Sequence, residues 1–93
     1  MTLIEHVQRC GEWADDETLF VARPWQPHSQ AMIVTPSPHS TAPIDRGGVR
    51  FEYFLETFLA RDFLEDFAVT AEGRNATQSA LCERLISYAE NDA

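Results

Sequence analysis

Lysine is missing from the 93 residues: all seven basic side chains are arginine, against fifteen acidic ones, for a formal charge of −8. A surplus of that sign opposes the basic face that phosphate backbones and anionic lipid require, so neither nucleic acid nor membrane is an expected partner. Long apolar runs are absent too; none approaches the roughly 20 residues of a spanning helix. The opening Met1-Thr2-Leu3-Ile4-Glu5-His6 has no cationic stretch leading into an apolar one. No secretion signal is read there, and a cytoplasmic location is expected. Cysteine is scarce: Cys10 and Cys82 allow a single bridge, and nothing points to an oxidising compartment.

Reactive constellations are equally sparse. His6, His28 and His39 have no metal-ligand spacing with each other or with the cysteines. Ser29, Ser37, Ser40 and Thr41 sit in no nucleophile-elbow pattern, and Gly47-Gly48 is too short for a phosphate loop. Both cysteines fall on apolar helical faces, where a thiol stays protonated and packs as a small hydrophobe. No cofactor and no metal is expected. A small enzyme would have to build its site on His28, His39 and the loop 36–48.

What is present is enough apolar material for one core. With 44% hydrophobic residues the chain is outside the range of disorder, and its length suits one domain, residues 1–93. Leu3, Ile4, Val7 and Cys10 recur at helical spacing behind Thr2, a good N-cap, and Gly11 is read as the stop. Residues 18–23 and 31–35 are short β-rich runs closed by Pro24 and Pro36, and residues 24–30 join them as an antiparallel hairpin. Both runs are apolar on both faces, where a sheet with one wet side would alternate. Each face therefore needs a cover, from the chain's own helices or from a second copy, which makes a homodimer through the hairpin an open alternative.

All five prolines lie between positions 24 and 43, and no acidic residue lies between Thr18 and Ile44. Residues 36–48 are read as a turn-rich loop. From Val49 to Phe67 a single helix would swap its apolar face midway, so the pattern is read as a strand over 49–56 followed by a helix over 57–68. Gly73 is read as a break, and Asn75 with Gln78 as a capping box for a last helix that buries Leu81, Cys82, Leu85, Ile86 and Ala89. The tail 90–93 is expected to fray. The expected fold is α+β: a three-stranded antiparallel sheet covered by about three helices, in the order α-β-β-β-α-α.

Three features point to binding. Asp62, Glu65 and Asp66 share the polar side of the second helix and, with Asp15, Asp16 and Glu17, would form an acidic docking surface for a basic protein partner. Trp25 and His28 lie in a loop framed by Pro24 and Pro27. Presented outward, Trp25 would serve as an anchor of the kind enriched at interfaces; folded inward, it would cap the core.

Two stretches, Trp13-x-x-Asp16-x-Thr18-Leu19-x-Val21 running on to Trp25, and Tyr53-x-Leu55 followed by the helix with Asp62-Phe63-Leu64, resemble a small bacterial domain family. Some similar small acidic proteins resemble immunity partners of polymorphic toxins, which act by binding. The resemblance covers residues 3–68 and implies a non-catalytic binding module, with no site residues to transfer.

Overall fold

The computed structural model describes residues 1–92, the side chain of Asp92 excepted. In chain order it contains α1 (Leu3–Gln8), a 3-10 turn (Cys10–Glu12), β1 (Thr18–Ala22), β2 (Ala31–Val34), β3 (Ile44–Arg46), β4 (Val49–Glu56), α2 (Thr57–Ala68), α3 (Ala71–Arg74) and α4 (Gln78–Asp92). The class is α+β as expected, but the described residues hold four strands rather than three and four helices rather than three. The end of the tail, Ala93, lies outside the described residues.

The four strands form one antiparallel sheet in the order β2-β1-β4-β3. β1 is central because Leu19, Phe20 and Val21 are apolar on both faces and all fully buried. The fourth strand, β3, comes out of the segment read as loop. Arg46 pairs with Val49 across Gly47 and Gly48, whose φ angles of 60° and 78° are both left-handed. Two such residues between paired strands make a tight turn whose twist matches the sheet, and glycine adopts it without steric cost.

Register shifts between Leu19 and Phe20 where β1 meets β4. The extra residue lets Phe54 and Leu55, neighbours in sequence, both enter the helix-side core. That core joins Leu3 and Val7 of α1, Leu19 and Val21 of β1, Ala60 and Leu64 of α2, and Cys82, Leu85 and Ala89 of α4. The opposite face is closed in part by its own rings. Phe20 and Phe51 are buried there, and Tyr53 meets Phe20 edge-on at 6.1 Å.

Helix boundaries follow their caps. Thr2 and Glu5 form a reciprocal capping box, and the next free N–H groups, of Leu3 and Ile4, donate to the carbonyls of Ser29 and Pro27 in the hairpin loop. α1 ends at Gln8, one turn before the expected glycine stop, because the chain tightens into the 3-10 turn; Gly11 has no left-handed φ. Strand β4 passes directly into α2, and the boundary read at 56/57 is where it falls. Gly73 does not break the chain but lies inside α3, where a Cβ would stand 1.9 Å from the Phe67 carbonyl oxygen. Thr77, not Asn75, caps α4: its hydroxyl accepts from Ala80 N–H at 3.1 Å, while Asn75 terminates α3.

Candidate functional site

Helix α2 buries Thr57, Ala60, Leu64 and Phe67, a stripe at helical spacing that faces the sheet and α4. Its outward arc then carries Phe58, Asp62, Glu65 and Asp66, and Val69 follows as the C-cap. Phe58 is 41% exposed and Val69 69%, and apart from Met1 they are the exposed large hydrophobics among the described residues. The three carboxylates between them form no ion pair among the described residues. Arginines are spent elsewhere, on Asp15, Asp45, Glu52, Glu72 and Glu90.

The acidic turn is fixed against this helix. Thr57 Oγ1 donates to the carbonyls of Ala14 and Glu17, and Arg61 reaches from α2 to Asp15 at 3.0 Å and to the carbonyls of Cys10 and Trp13. Asp15, paired with Arg61, and Asp16 in the same turn are both exposed. Glu17 is committed otherwise, accepting from Ala14 N–H at 2.9 Å and from Thr35 Oγ1 at 2.6 Å.

Trp25 folds inward. It is 8% exposed, its Nε1–H donates to the Val21 carbonyl at 3.1 Å, its ring meets Phe54 edge-on at 4.9 Å, and Arg23 stacks on it. The neighbouring His28 is exposed, as is His39.

The surface also carries depressions, two of which bear on a site. One, of about 270 Å³, lies between α1, α2 and α4; its walls include Val7, Cys10, Leu64, Ala68 and Leu81, and Glu65 is its one charged residue. The other, of about 330 Å³, is polar and mixed in charge, lined by His6, Arg9, Glu12, Trp13 and Glu17 among others. Trp13 Nε1 is buried beside it and meets no acceptor among the described residues. His6 lies half-buried with Nε2 3.3 Å from the Ala31 carbonyl; burial, more than any neighbouring charge, holds its pKa below the usual imidazole range. No group of three or more His, Cys, Asp or Glu converges in metal-ligating geometry among the described residues. No described helix is long and apolar enough to cross a membrane.

Sequence reasoning identified the α2 carboxylates but missed Phe58, Val69 and the groove. The first two had a signal: a helix beginning at Thr57 places Phe58 four residues before Asp62, on the polar arc. The groove had none, since it depends on how three helices converge. Comparison of the chain with protein-family profiles, curated proteins and solved structures finds no match.

Proposed function

We propose that the chain is a non-catalytic protein-binding module of the immunity or antitoxin kind, which presents the outward face of α2 to a basic protein. The observation that carries this reading is the bracketing of three carboxylates that form no ion pair among the described residues, Asp62, Glu65 and Asp66, by two exposed apolar side chains, Phe58 and Val69. At 1.5 Å per residue the strip runs about 16 Å along the helix. Apolar anchors supply the area that binds, and surrounding charge of one sign selects the partner and speeds its arrival.

The test is co-purification of the chain from its native host, followed by affinity measurement on the recovered complex. The expected result is a stoichiometric complex with a protein of high pI that weakens as salt rises from about 0.05 to 0.5 M. Replacing Asp62→Asn, Glu65→Gln and Asp66→Asn together should cost at least about tenfold in affinity, and Phe58→Ser a similar factor. A complex indifferent to both changes and to salt would refute the reading.

A further inference from the structure

We propose that the groove between α1, α2 and α4 is the receptor for one arginine side chain of the partner, an inference that rests on reading α2 as the docking face. Its lining has two chemistries. Val7, Cys10, Leu64, Ala68 and Leu81 make the walls apolar, while Glu65, exposed on the outer arc of α2, is the one acidic residue at its border. Gln8 and Gln78 also border it, and no cation lines the groove among the described residues. A wholly apolar groove would suit an aliphatic or aromatic side chain, and a wholly polar one a small ion.

This combination matches an arginine, whose methylene stem buries against apolar walls while its guanidinium stays at the opening. There the planar fork meets Glu65, the acidic residue of the lining, and gains a charge-assisted hydrogen bond to its carboxylate. Glu65 is free for that role because it holds no arginine of its own chain among the described residues. It also connects the groove to Asp62 and Asp66, so a basic segment inserting one arginine would lay its neighbouring cations on the acidic strip. The second depression does not suit this ligand, since Arg9 stands in its wall.

The test is methyl NMR on the full chain, titrated with n-propylguanidinium as the arginine side-chain probe and with butyrate and propanol as controls of equal stem length. Val7, Leu64 and Leu81 methyl resonances are expected to shift saturably with the guanidinium and far less with either control. Glu65→Gln should raise the half-saturation point by about fivefold, and Asp62→Asn by less than about twofold. Equal response to butyrate, or no shift at the groove methyls, overturns the proposal.

A second arm uses a hexa-arginine peptide against the wild-type chain and an Ala68→Met variant, which fills the groove and leaves every carboxylate in place. Weaker binding by the variant supports the groove as receptor. Binding that ignores Ala68→Met and Glu65→Gln but falls with Asp62→Asn and Asp66→Asn overturns the groove proposal and leaves the basic-partner reading standing. No binding of the peptide to the wild-type chain overturns both.

Discussion

Arg61 and Asp15 are 46 positions apart and meet at 3.0 Å, but the carboxylate is the least of the arginine's attachments. Asp15 is 82% exposed at its side chain, where an ion pair is screened, whereas Arg61 is 23% exposed and also donates to the carbonyls of Cys10 and Trp13. Those carbonyls belong to the 3-10 turn and the residue that ends it, so the guanidinium fastens the chain entering β1 onto α2.

Two substitutions at this junction should therefore differ. Arg61→Ala is expected to cost about 2 kcal/mol, the scale of hydrogen bonds to a charged group that leave their partners unmet. Asp15→Asn should cost under about 0.5 kcal/mol. Arg61→Lys should rescue poorly, because one ammonium cannot reach three acceptors spread over the turn. Urea unfolding of the three variants decides it; equal losses at Arg61 and Asp15 would show that the ion pair dominates.

The parts of the fold legible in the sequence were those whose residues carry their own periodicity. The switch of apolar face within residues 49–67 located the β4–α2 boundary because a helix cannot turn its core side away midway. β3 was hidden because Ile44-Asp45-Arg46 is three residues at a sheet edge with one side chain half-buried, too short to show alternation. Its signal was Gly47-Gly48, read as a turn without the strand it implies. Gly73 misled for another reason: its role is close approach to the Phe67 carbonyl, a tertiary constraint that looks like a helix breaker in sequence. The acidic strip was readable because charge on a helix is a local pattern. The groove beside it was not, since Val7, Leu64 and Leu81 meet only after folding.

His6 gives the fold a pH dependence with a definite sign. Burial lowers its pKa from the ordinary 6.5, with smaller effects from the chain amine, Glu5 and Arg9, so the folded chain favours the neutral ring. The unfolded chain takes up a proton first as pH falls, and stability declines from about pH 6.5 down to the folded-state value. Glu5 acts in a lower window. Hydrogen bonds from Thr2 depress its pKa below 4.5, and their contribution is lost as pH falls through the folded value. Denaturation midpoints measured from pH 7 to pH 3 should show both declines. His6→Gln, which can still donate to the Ala31 carbonyl, should remove only the upper one.

The two thiols should separate chemically. Cys82 is fully buried in α4 and burial pushes its pKa up to about 12, leaving on the order of one part in 10⁵ as thiolate at neutral pH. Cys10 is half-exposed in the groove wall. A disulfide reagent added to the native chain should modify Cys10 alone, with Cys82 reacting only at the rate of global unfolding. Prompt reaction at both would mean that α4 opens locally.

Trp25 offers the sharpest contrast between a core role and a binding role, because its loop position suggested either. Its indole N–H satisfies the Val21 carbonyl, its ring packs on Phe54, and Arg23 covers its outer surface. Removing the ring by Trp25→Ala should cost about 3–5 kcal/mol through a cavity beneath the hairpin loop. Trp25→Phe retains part of the ring and loses the hydrogen bond, which should reduce the loss to about 1–2 kcal/mol. Arg23→Ala removes the cation–π contact together with two exposed ion pairs, to Glu52 and Glu90, whose combined worth should stay under about 1 kcal/mol. That ranking, measured by urea unfolding with unchanged affinity for the partner in the folded variants, assigns Trp25 to the core. The reverse outcome, a stable Trp25→Ala chain that no longer binds, would require the indole to swing outward on association and would move the docking face from α2 to the hairpin.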